Sequence, residues 1–443
     1  MATGGIMSTL KRLGIVSSFL LAFEMTTHAK ASPDAEAFVL RHAWRMPGEM
    51  NGDDERRFGS SGVLVRGDIV AIATDRGPDG TLRPGRVRLY DRRHPEHPPV
   101  SVLAAPDRSW PDGFGFSLAG FENRLLIGAP DDSEINWGAG RVWLYLETED
   151  GWIVEESFSD PSAERNAAFG EAIAIGKDTI AIGAPRCDKA GRDAGCVFIF
   201  ERSDDRWSLD ARLVAPDAED SDYFGSSLAL DGTRLAVGAW GDDDHGEKTG
   251  AVWCYEKRGA RWSMRQKLVP DRLQSRDLFG SALVFHEHEL LVSTPGTRED
   301  RGAVHVFTGR TGRWELIDRI TDPESRPGDR FGGSLAAADD LLVVGAPESR
   351  QDGVPHGMLT IHRRSGWGWS LIERHQVESN QAPQPMRFGF NVSIDRGAIL
   401  VGRVDQADET PASIGAWLFD QGASVTEDTT EDETGGVPVI SSR

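Results

Sequence analysis

The sequence predicts an all-β fold: a seven-bladed β-propeller of four-stranded antiparallel blades. Three observations carry that expectation. A Phe-Gly pair recurs at Phe58-Gly59, Phe114-Gly115, Phe169-Gly170, Phe224-Gly225, Phe279-Gly280, Phe331-Gly332 and Phe388-Gly389, at intervals of 52 to 57 residues. Fourteen residues after the Phe stands a second signature: Gly128-Ala129-Pro130, Gly183-Ala184-Pro185, Gly238-Ala239-Trp240, Ser293-Thr294-Pro295 and Gly345-Ala346-Pro347. It drifts to Thr74-Asp75 after Ala73 in the first copy and to Gly402-Arg403 in the last. Third, each copy breaks into four short apolar runs separated by turn residues, as a four-stranded antiparallel unit does. A fixed period of this length marks an array or a propeller. Copies of about 55 residues are too small for independent immunoglobulin-like sandwiches of roughly 100 residues.

Blade 2 shows the strands. The expected runs are 114–119, 125–128, 141–145 and 152–158. Val142 and Leu144 alternate with Arg141, Trp143 and Tyr145, a period of two that suits strands. The second strands (LLIGAP, TIAIGAP, LLVVGAP) are apolar throughout, so both faces should be covered by neighbouring blades. Small residues after each Phe-Gly (Ser117, Ala172, Ser227, Ser334) fit crowding around an axis. In the fourth strands, Trp152, Trp207, Trp262 and Trp314 each precede an apolar residue by six positions, and Pro161, Pro216, Pro270 and Pro323 close the strand. These tryptophans read as packing.

The ring closes by a displaced strand. Blade 7 has three strands before the acidic segment 421–443, which is poor in apolar residues and reads as a disordered tail. Residues 38–47 (FVLRHAWRMP) align with the fourth strand WSLDARLVAP of blade 3, so they are expected to complete blade 7. Closure removes exposed sheet edges. The propeller then occupies residues 32–420, with no second domain.

Residues 1–31 read as a secretory signal peptide. Lys11-Arg12 supply the positive region, LGIVSSFLLAF the apolar one, and Ala29-Lys30-Ala31 the cleavage site. Met1 and Met7 are both possible starts. The apolar stretch is too short to span a bilayer. A secreted or periplasmic location is therefore expected. The net charge of −21 argues against nucleic acid or an anionic membrane as the main partner. Cys187 and Cys196 flank one loop of blade 3, and a disulfide there is expected in an exported protein; the alternative is two free thiols. Cys254 takes the slot of Leu144 and Ile199 and reads as a buried thiol.

Phe-Gly opening one strand and Gly-Ala-Pro closing the next resembles the FG-GAP repeat of integrin α-subunit propellers and of bacterial secreted proteins. The resemblance covers seven copies. It implies a seven-bladed propeller used for adhesion or ligand binding; a monomer with a protein or glycan partner is expected. Integrin blades carry Asp-rich calcium loops between the first and second strands. The corresponding segments here (GFENR, IGKDT, LDGTR, FHEHE, AADD, IDRGA) lack the alternating acidic run that wraps six or more oxygens around calcium. No metal, cofactor or catalytic residue is assigned. Asp231-Gly232 reads as a hairpin turn, and Asp242-Asp243-Asp244 as a solvated one.

Function is expected on the face that carries the long loops. The residues just before each Phe-Gly are expected at the channel mouth. Arg57, Arg330 and Arg387 belong to adjacent blades 1, 6 and 7, and such a basic crescent would grip an anion through paired donors. Flanking acids such as Glu55 and Asp329 offer local neutralisation instead. Trp110, Trp137, Tyr223 and Trp240 are loop aromatics suited to a protein or sugar. The expected function is non-catalytic binding or adhesion. The alternatives are a scaffold in an envelope complex, or a glycan hydrolase or lyase with its site in the channel. No GxSxG, HExxH or phosphate-cradling motif is present, and His286 and His288 around Glu287 are weak evidence for a metal.

Overall fold

The computed structural model describes residues 25–27, 38–45, 58–66, 68–74, 85–106, 112–309, 312–351, 353–366, 368–377, 386–403 and 414–421. Arg57, Trp110, residues 422–443 of the expected tail and all of the expected leader except Met25–Thr27 lie outside them; Gln421, the first residue of that tail, ends a strand instead.

Seven four-stranded antiparallel sheets form the ring. Blade 2 is typical: Ser117–Phe121, Arg124–Ala129, Arg141–Thr148 and Gly151–Phe158, paired in that order from the axis outward. The first strand starts three residues later than expected. Phe114-Gly115 lies before it, in a turn closed by the Phe116 N–H donating to the Gly113 carbonyl at 2.9 Å. The second strands of blades 2, 3 and 6 are buried at every position. The outer strand of blade 3 instead alternates between exposed and half-buried residues. Solvent on one side and the neighbouring strand on the other explain that contrast.

Blade 7 consists of Asn391–Asp395, Ala398–Gly402 and Ile414–Gln421, and Phe38–Arg45 pairs with the last of these as its outer strand. Phe38 stands opposite Gln421 and Trp44 opposite Ala416. The ring therefore closes as the sequence predicts. Met25–Thr27 adds a fifth strand to the outer edge of blade 6, with Thr26 opposite Gln376. The outer-strand pairing of blades 2 to 7 carries a register shift. Bulges of this kind twist an exposed edge away from pairing with other chains.

The two halves of the repeat signature meet. The Gly115 N–H donates to the Gly128 carbonyl at 3.0 Å, and Gly170 to Gly183, Gly225 to Gly238, Gly280 to Ser293 and Gly332 to Gly345 do the same. The signature also joins blades. Ser117 Oγ donates to the Gly170 carbonyl of blade 3 at 2.7 Å, and Ser227 and Ser334 make the same bond to Gly280 and Gly389. A Cβ on Gly128 would fall onto that Gly170 carbonyl, so only glycine admits the approach. The Phe rings of blades 2 to 7 are fully buried. Phe114 packs among Ala73 and Val87 of blade 1 and Tyr145 of blade 2, so each such Phe is a wedge between blades.

Charged latches run around the ring. They are Arg92–Asp420 (2.7 Å), Arg66–Glu147 (3.4 Å), Arg202–Glu155 (3.5 Å), Lys257–Glu201 (2.8 Å) and Arg364–Glu289 (2.6 Å). Arg234 Nη2 donates to the Glu287 carbonyl between blades 4 and 5, and the Phe38 N–H donates to Glu373 Oε1 between blades 7 and 6. The fourth-strand tryptophans pack as expected. Trp207 sits edge-on to Phe158, and Trp314 lies against Phe285.

Candidate functional site

Strand direction divides the disc into two faces. Turns between first and second strands lie on one face, called here the turn face. The loops after each Gly-Ala-Pro and the connections between blades lie on the other, the looped face.

At the looped face, the residue before Phe-Gly has a positive φ in every described copy: Gly113, Ala168, Tyr223, Leu278, Arg330 and Arg387. That backbone closes the turn that delivers the Phe wedge. None of these six residues lines the cavity at the mouth. Tyr223 stacks flat on Trp240, with ring centroids 4.6 Å apart at 10°, and Lys248 Nζ stands 5.3 Å from the Trp240 ring. Arg387 pairs with Glu348 at 3.0 Å. Arg330 is exposed, and its guanidinium has no partner among the described residues. The expected crescent thus reduces to one neutralised and one free arginine, with Arg57 undescribed. The mouth is lined instead by residues two and three places after each Phe: Phe116, Ser117, Ala172, Phe390, Asn391 and Ser61. A cavity of about 260 Å³ opens there.

Trp137 stands differently. It is 60% exposed, and Ile135 two residues earlier is 52% exposed. Their loop is nevertheless fastened. Asn136 Nδ2 donates to the Ala163 carbonyl at 2.9 Å, the Asn166 N–H to the Trp137 carbonyl at 2.8 Å, and the Gly138 N–H to Ser133 Oγ at 2.9 Å.

Beneath the loops lies a buried polar layer that sequence reasoning missed. Asp112, Asp222, Asp277 and Asp329 stand two residues before Phe, and all are buried. Asp222 Oδ2 accepts from the Glu219 N–H at 2.7 Å; Asp277 and Asp329 accept equally from Gln274 and Arg326. Each carboxylate thereby closes the turn between blades. Burial raises all four, Asp112 and Asp222 to about 6. The missed signal was the recurrence of Asp at this fixed offset.

Of Asp242-Asp243-Asp244, the last two are exposed as a solvated turn requires, but Asp242 is not. Asp242 is 2% exposed, because Lys267 Nζ reaches Asp242 (2.8 Å), Asp244 (2.6 Å) and Asp217 (2.8 Å) while lying over Trp253. Burial opposes the ammonium, and the three carboxylates more than offset it, holding Lys267 above its ordinary value. Among the described residues, no three His, Cys, Asp or Glu side chains converge as a metal-ligand set.

Cys187 and Cys196 form a disulfide, with Cα atoms 5.8 Å apart. Cys254 is buried, and burial pushes its thiol up. Of the two expected histidines, His286 Nε2 contacts the Asp339 carbonyl at 2.6 Å beside Trp369, while His288 is exposed. No helix among the described residues is long and apolar enough to cross a membrane.

The fold and its motifs define a closed propeller built from FG-GAP repeats. The FG-GAP repeat family model matches residues 152–200, 207–255 and 314–358. The first two matches begin in a fourth strand and end in the third strand of the next blade, the same phase that leaves Phe38–Arg45 to close the ring. The chain is similar to integrin alpha-M of Mus musculus, with 27% identity over 257 residues, covering 52% of this chain and 21% of that protein. It therefore spans about a fifth of that relative's length.

Proposed function

We propose that this chain is a non-catalytic, exported binding or adhesion propeller that recognises a protein or glycan through its looped face. The carrying observation is Trp137. A large aromatic left 60% exposed on a loop fastened by three hydrogen bonds is positioned without being packed. Rigid exposed aromatics are the residues that dominate binding energy at interfaces. Ile135 extends the same apolar tip. The likeness to integrin alpha-M supports a binding role, and the Cys187–Cys196 disulfide supports an oxidising destination.

The test is binding of the full chain to glycan and protein arrays, alongside Trp137→Ala and Arg330→Ala variants of matched thermal stability. Trp137→Ala should weaken a captured ligand by about 2 kcal/mol, a hot-spot effect. Equal binding by parent and Trp137→Ala would remove the looped tip from the site. Consumption of a polysaccharide substrate would overturn the non-catalytic reading.

A further inference from the structure

The channel has a second chamber, at the turn face, of about 700 Å³. This volume lies within the range of small-molecule sites. Its wall comes from the inner strands: Leu118, Ile173, Leu228 and Leu283 are half-buried there, and Ala174 joins them. These side chains keep apolar surface open to the channel, and covering such surface is favourable.

The rim is acidic, through Asp231, Glu287 and Asp339. The three differ. Asp231 is neutralised by Arg234. The carboxylates of Glu287 and Asp339 are exposed and make no hydrogen bond or ion pair among the described residues. Their backbones are held: the Glu287 carbonyl accepts from Arg234 Nη2, and the Asp339 carbonyl lies 2.6 Å from His286 Nε2. Two anchored carboxylates therefore stand at the rim of a chamber that offers apolar side chains and polar surface in similar measure, in a chain of net charge −21.

We propose that the turn-face chamber binds a small amphipathic cation. The apolar body lies along the inner strands, and the ammonium or amidinium head meets Glu287 and Asp339. A neutral or anionic amphiphile of equal length would fill the chamber without satisfying the rim. This site lies at the opposite end of the channel from the looped face, so it stands or falls independently of the partner proposed above.

The experiment is calorimetric titration of the full chain with octyltrimethylammonium below its micelle concentration, beside octyl glucoside and octyl sulfate. Glu287→Gln/Asp339→Asn removes the rim charge, and Ala174→Phe fills the chamber; melting curves check that each folds. The expected result is one-to-one binding of the cation alone. The rim variant should weaken it by about tenfold, as loss of close charge pairs does, and Ala174→Phe should abolish it. If Ala174→Phe does not fold, the rim variant and the head-group comparison decide. Multiple weak binding that neither variant changes would mark surface ion exchange and overturn the proposal. Equal affinity for octyl glucoside, or no binding heat, would overturn it too.

Discussion

Cys187 and Cys196 in blade 3 stand where Asp132 and Arg141 stand in blade 2. The backbone proves the equivalence: the Gly195 N–H donates to the Cys187 carbonyl and the Gly140 N–H to the Asp132 carbonyl, both at 3.0 Å. Cys196 lies opposite Ala184, as Arg141 lies opposite Ala129. One repeat ties its loop to the third strand covalently. The other does so with a charge pair, Arg141 Nε lying 3.9 Å from Asp132 and its Nη2 reaching Glu134.

Replacing both cysteines by serine should destabilise the fold by about 2 to 3 kcal/mol, the usual range for a short disulfide loop. Cys187→Asp/Cys196→Arg should recover part of that loss, about 1 kcal/mol or less, because Asp132 and Arg141 are buried and desolvation offsets most of the attraction of such a pair. Thermal melts of the three proteins check this. A double charge variant no more stable than the double serine would show that position alone does not make the pair.

Gly183→Ala should be far more damaging than Gly232→Ala. A Cβ on Gly183 would strike the Gly225 carbonyl of the next blade, whereas Gly232 has open space and only its φ of 56° to oppose substitution. The expected costs are about 3 kcal/mol for overpacking backbone against backbone and about 1 kcal/mol for the left-handed turn. Denaturant titration separates them. Similar losses would mean that the blade junction relaxes.

The buried aspartates set a pH dependence. Burial raises Asp222 to about 6, and Asp112 likewise. Between the unfolded value of 3.8 and about 6, the folded chain binds more protons than the unfolded one. These groups therefore favour folding in acid, and that contribution is lost as pH rises through about 6. Asp222→Asn keeps an oxygen for the Glu219 N–H. It should stabilise the fold near pH 7.5 by up to roughly 3 kcal/mol, with the gain vanishing near pH 4. Melting curves across that range check it; a gain independent of pH would contradict the buried-carboxylate account.

Removal of residues 38–45 should open the ring. Phe38, Leu40, Ala43 and Trp44 pack in the junctions of blade 7, and Ile414–Gln421 would become an unprotected edge. Light scattering should show self-association of the truncated chain, and a synthetic 38–47 peptide should reverse it. A monomeric truncated chain would show that three strands suffice.

Architecture was legible in the sequence because it repeats. A buried Phe wedge and an apolar second strand recur from blade 2 to blade 7, and a glycine under a neighbour's carbonyl recurs in blades 2, 3, 4 and 6. The displaced closing strand was legible for the same reason, since FVLRHAWRMP keeps the fourth-strand pattern. What the tertiary structure decided was side-chain direction and partnership. Arg387 and Tyr223 sit at the same offset as Arg330, yet one is taken by Glu348, one by Trp240, and one is free. The positive φ that steers all three is a property of the closed turn and leaves no fixed residue type behind. Lys267 likewise meets Asp217, Asp242 and Asp244 from 23 to 50 positions away. Local pattern specifies which residues must be buried; only the packed ring specifies which charges they meet there.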